Sequence, residues 1–134
     1  MCAFYRSREG ALTSADSMTS LGSLYGQSTT ASIQIPKQAT SIVGIIATVA
    51  SDSATNGATT FALQISGDGL SQGQETIVVG SQGVDGTPAS NGATNGPFSL
   101  DVAIPCVGSN QVSVAMAMDT DVGTCACAVT LVFA

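Results

Sequence analysis

The feature that most constrains this chain is a two-residue rhythm of apolar side chains, repeated in short runs and cut by Gly, Asn, Asp and Pro. Thr60 to Ser66 places Phe61, Leu63 and Ile65 on one side. Phe98 to Ile104 sets Phe98, Leu100, Val102 and Ile104 against Ser99, Asp101 and Ala103. Gln111 to Met118 does the same with Val112, Val114, Met116 and Met118. Successive side chains of a strand point to opposite faces, so each run has one face for a core and one for the exterior.

The other segments fit the same frame. Ser28 to Ile35 gives Ile33 and Ile35 a common face before Pro36 stops the run. Ser41 to Ala50 is nearly continuous Ile and Val, which predicts a central strand or one with a bulge at Gly44. Glu75 to Gly80 sets Ile77 and Val79 against Val78, and Thr124 to Phe133 ends the chain in a strand. Between them lie turn chemistries: 52–57, the Gly-rich run 66–73, a long Gly/Asn/Ser/Thr stretch over 81–97 and an expected hairpin turn at 119–123. The count is seven strands, eight if the Ile/Val strand breaks at its glycine or the N-terminal segment adds one. The fold class is therefore all-β: an antiparallel β-sandwich, jelly-roll-like, with an immunoglobulin-like order disfavoured by the absence of Trp and of a Cys…Trp…Cys pattern.

Residues 1–27 read differently. They hold both arginines and the aromatics Phe4, Tyr5 and Tyr25, show no strand-like alternation, and contain at 14–21 at most one helical turn. The expected organisation is an N-terminal arm over 1–27, with Phe4, Tyr5, Arg6, Arg8 and Tyr25 available to dock on a neighbour, followed by a sandwich domain over 28–134.

Charge narrows the function. Only 9% of residues are charged, against about 25% in an average soluble protein, so a coat of hydrated charges is not available to keep copies apart. A Ser/Thr/Gly/Ala-rich exterior desolvates at little cost and suits packing against copies of itself. The net charge is −6 and the only cations are Arg6, Arg8 and Lys37, so direct nucleic-acid binding by the sandwich is not expected. The first residues carry no apolar core of a secretory signal, and the longest apolar run, Ile42 to Ala50, is too short to span a bilayer, so no transmembrane segment is expected.

The chemistry-bearing residues are few. With no histidine, Ser-His-Asp and Cys-His nucleophile systems and the usual Cys/His metal sites are excluded, and no enzyme activity or cofactor is expected. The carboxylate pairs Asp119 and Asp121, or Asp68 and Glu75, would have to act without any Trp to stack a sugar. Asp119, Asp121 and Asp68 are weak calcium candidates, and Asx turns explain them first. Cys106, Cys125 and Cys127 read as small buried hydrophobes; a cross-strand disulfide from Cys106 to Cys125 or Cys127 is the alternative. Met116 and Met118 share one strand face and read as core.

A short arm, a compact run of Val/Ile/Ala/Thr strands with long Gly/Asn/Ser loops, and the final strand from Cys127 to Ala134 resemble the small single-jelly-roll capsid proteins of icosahedral viruses. That resemblance covers residues 28–134 and implies many identical copies, edge-to-edge contacts between sandwiches, arms tying neighbours together, and a place in the virion after assembly in the host cytoplasm. Partners would be copies of the chain and other capsid proteins. The strongly basic arm of many RNA-virus capsid proteins is missing here. The competing expectations are an extracellular or cell-surface filament or adhesin subunit, and a glycan- or receptor-binding module using the 81–97 stretch.

Overall fold

The computed structural model describes residues 3–23, 32–51, 56–85 and 92–134, with side chains at 23, 51, 56–57, 82–85 and 92–102 outside that description. Its strands are β1 (Phe4–Leu12), β2 (Thr19–Ser20), β3 (Gly22–Ser23), β4 (Ile33–Gln34), β5 (Ser41–Ser51), β6 (Asn56–Ser66), β7 (Gln74–Asp85), β8 (Gly92–Pro105), β9 (Gln111–Met118) and β10 (Cys125–Phe133). One sheet has the order β3-β1-β10-β5-β8 and the other β2-β9-β6-β7, with β4 also on β9. Every pairing between strands is antiparallel.

β2 pairs Met116 and Ala115 while β4 pairs Val112 and Gln111, so the two are successive pieces of one broken strand along β9. Counted that way, and leaving aside the short outer β3, the sheet orders are first-eighth-third-sixth and second-seventh-fourth-fifth. This is the jelly roll, two interlocked Greek keys rolled into a sandwich.

The core lies between the sheets and follows the two-residue rhythm. Phe61, Leu63 and Ile65 of β6, the even-numbered residues Val112 to Met118 of β9, and the odd-numbered residues Cys125 to Phe133 of β10 are buried. The irregularity expected at Gly44 is present: the register against β8 and β10 shifts between Ile42 and Gly44. A second bulge leaves Val79 unpaired opposite the Phe61–Ala62 step and turns it inward, so Val79 is buried and Val78 exposed.

Four features differ from the sequence reading. Residues 4–12 are not an arm: β1 pairs with β10 along its whole length, from Phe4 opposite Phe133 to Leu12 opposite Cys125. Its inward positions are Phe4, Arg6, Arg8, Gly10 and Leu12, and two arginines with a glycine break the apolar half of the rhythm that would have marked it. No helical turn forms at 14–21. There the chain joins the β9 edge, with Leu21 N–H donating to the Val114 carbonyl (2.9 Å) and Leu21 fully buried. The 119–123 turn closes no hairpin, because β9 and β10 belong to different sheets and the segment crosses between them. The long 81–97 stretch is strand at 81–85 and 92–97, and Tyr25, residues 28–31 and 86–91 lie outside the described residues.

Candidate assembly surface and basic depression

Because each strand alternates, the same register that builds the core composes two outer faces. On the β1-β10-β5 sheet the outward positions are Tyr5, Ser7, Glu9 and Ala11 of β1, Ala126, Ala128, Thr130 and Val132 of β10, and Val43, Ile46, Thr48 and Ala50 of β5. The hydroxyls of Ser7 and Thr130 hydrogen-bond across it at 2.7 Å. On the other sheet the face is Thr60, Ala62, Gln64 and Ser66 of β6, Ser113, Ala115 and Ala117 of β9, and Thr76 and Val78 of β7. Among these described positions Glu9 is the single ionisable carboxylate and no cation is present, so the described parts of both faces are small-residue and sparsely charged. Val78 stands 67% exposed on β7, the edge strand of the second face, and Tyr5 60% exposed on the first. Val78, Ala62, Ala117, Met18 and Met118 line a shallow apolar hollow bordered by Asp16 and Asp119.

The basic residues do the opposite. Arg6 and Arg8 of β1, facing inward where the sandwich opens, join Lys37 of the β4–β5 connection around one depression of about 550 Å³ rimmed by Ser32, Gln34, Ser109 and Gln111. The Arg8 guanidinium donates to the carbonyls of Ser32 (2.6 Å) and Ser7 (2.7 Å), and Arg6 to the Tyr5 carbonyl (2.9 Å). Burial, and then the neighbouring Arg6 charge, lowers the Arg8 pKa. Of the described residues read as arm anchors, Phe4 packs against the protein's own core, Arg8 is half-buried, and Tyr5 and Arg6 remain exposed.

The acidic candidates are occupied by the fold. Asp119 Oδ1 accepts from the Thr60 N–H (2.8 Å) and the Thr59 hydroxyl (2.9 Å), while Thr59 Oγ1 accepts from the Thr120 N–H (3.1 Å). The Thr60 and Thr59 hydrogen bonds hold the Asp119 carboxyl below its ordinary pKa. Asp121 accepts from the Gly123 N–H (3.0 Å) and Asp68 from the Gln111 N–H (3.2 Å), each fixing a loop. Asp68 belongs to the connection after β6 and Asp119 and Asp121 to that after β9, at opposite ends of the sandwich. Among the described residues no three His, Cys, Asp or Glu side chains come together as a metal site.

Cys106, Cys125 and Cys127 are buried free thiols. Cys106 follows β8 at the end where Ser41 begins β5, whereas Cys125 begins β10 opposite Ser51, so the bridge left open by the sequence is not formed. Burial, then the neighbouring Cys125, pushes the Cys127 thiol up to about 11, and it donates to the Gly10 carbonyl at 3.5 Å. No described helix is long and apolar enough to cross a membrane.

The composition predicted a low-charge exterior. It could not predict that the three cations share one depression, because Lys37 is distant in sequence from Arg6 and Arg8 and only the β1-to-β4 proximity joins them. A scan of protein-family models finds none that matches this chain, and a search of curated proteins finds no match either.

Proposed function

We propose that this chain is a structural, non-enzymatic subunit that assembles with copies of itself, and that the assembly is the shell of a virus. The observation that carries the reading is the pair of outer sheet faces holding one carboxylate among their described positions. A monomer that must remain dispersed surrounds itself with charge, whereas faces of Ala, Ser, Thr and Val lose little on leaving water and pack closely. The jelly roll supports the viral form of the reading, since capsid proteins use it repeatedly; lectin domains use it too.

A donated-strand filament fits less well. The position beside β10 is filled along its length by β1 of the same chain, so a neighbour's strand has no vacancy there. A glycan-binding module would draw its site from loops, and the loop carboxylates Asp68, Asp119 and Asp121 are already engaged in hydrogen bonds.

Size-exclusion chromatography with light scattering, followed by negative-stain microscopy of the purified chain, tests the proposal. The expected result is closed particles in equilibrium with subunits. A chain that stays a single copy at high concentration and across salt concentrations overturns it, and open fibres would shift the reading to a filament subunit.

A further inference from the structure

We infer that the depression holding Arg6, Arg8 and Lys37 is a socket for a carboxylate of a second copy of this chain. The inference rests on the self-assembly reading and adds the partner group of one contact. Its starting point is that all three cations of the 134-residue chain stand around a single depression. Arg6 and Arg8 point to the same side of β1, where like charges repel. Hydrogen bonds to the carbonyls of Tyr5, Ser7 and Ser32 orient the Arg6 and Arg8 guanidiniums. Uncharged polar side chains, Gln34, Ser109 and Gln111, complete the rim. A fixed cluster of forked donors in a polar cup matches an oxyanion.

The rest of the chain decides which oxyanion. Its other ionised side chains are nine carboxylates, so every remaining charged patch of a sister copy is complementary to the socket. A net charge of −6 repels a polyanion such as nucleic acid, and three cations release few counterions from one. Socket against socket would confront six cations, so the surface that enters the socket is an acidic one elsewhere on the sister copy.

The test measures the concentration at which wild-type chain assembles, then repeats it with R6Q/K37Q. Arg8 is left in place because it holds the Ser32 segment. Circular dichroism and Tm should match wild type, and the assembly threshold should rise about tenfold, the effect of losing two partly desolvated charge contacts. Inorganic phosphate, compared with chloride at equal ionic strength, should raise the wild-type threshold and leave that of R6Q/K37Q unchanged. Adding E75Q and D85N to the double variant returns the net charge to −6; a threshold restored by that change would assign the effect to overall charge and overturn the socket. An unchanged threshold in R6Q/K37Q overturns it too. So would saturable binding of a single-stranded oligonucleotide that R6Q/K37Q abolishes, which would give the socket to phosphodiesters. A wild-type chain that never assembles instead removes the reading beneath it.

Discussion

Asp119 shows at residue scale how one carboxylate secures a crossing between sheets. The segment after β9 must leave one sheet for the other, and Oδ1 of Asp119 holds it by accepting from both Thr59 and Thr60 at the start of the neighbouring β6 run. Thr59 is buried, so its hydroxyl needs that partner. Asn at 119 keeps an acceptor oxygen for both donors and Ala keeps none. D119A should lower Tm clearly at neutral pH while D119N stays close to wild type, as read by thermal circular dichroism. The carboxyl pKa is lowered in the fold, so its contribution is present above the unfolded aspartate value, about 3.9, and is lost as pH falls through the folded value. Wild type should therefore lose Tm more steeply than D119N on acidification. Chelator should change neither; a chelator-dependent drop in wild type would replace this clamp by a metal site.

At the scale of elements, β1 separates a sandwich strand from a detachable arm. Its nine residues pair with β10, and Leu12 is fully buried while Phe4 packs on the core. Truncating one buried Leu to Ala costs about 2–5 kcal/mol, a large part of the roughly 5–15 kcal/mol by which a domain is stable. L12A should thus lower the urea midpoint markedly, and deleting residues 1–12 should abolish cooperative unfolding; a truncated chain that melts like wild type would make β1 an appendage after all. The sequence conveyed β6, β9 and β10 because their inward positions are uniformly apolar. It hid β1 because Arg6, Arg8 and Gly10 occupy inward positions where the sandwich opens, and burial there depends on β4, a tertiary neighbour no local pattern reveals. The same cause hid the basic depression. The loop over 81–97 was over-read for a related reason: Gly, Asn and Ser suit turns, yet the pairing with β5 and β6 draws both ends of that stretch into long strands.

For the molecule as a whole, the sharpest question is whether the sparsely charged faces are covered by neighbours. Val78 tests it on the β9-β6-β7 sheet, since it is exposed, points away from the core and adjoins Ala62 across the pair. In a lone subunit a lysine at 78 simply enters water, and surface changes of that kind usually alter stability by no more than about 0.5 kcal/mol. Against a packed neighbour the same ammonium must shed its hydration, a penalty of several kcal/mol per ion that the carboxylates bordering the hollow, Asp16 and Asp119, the latter already held by Thr59 and Thr60, offset only in part. V78K should therefore retain the wild-type Tm and spectrum yet fail to form particles, whereas a lysine at the exposed loop residue Gln72 should leave assembly as it was. Because every copy in a closed shell repeats the defect, the loss should be abrupt with concentration and not graded. Particles of V78K indistinguishable from wild type in yield and size would mean that this face looks onto solvent, and the contacts would have to lie on the β1-β10-β5 face and the strand edges instead.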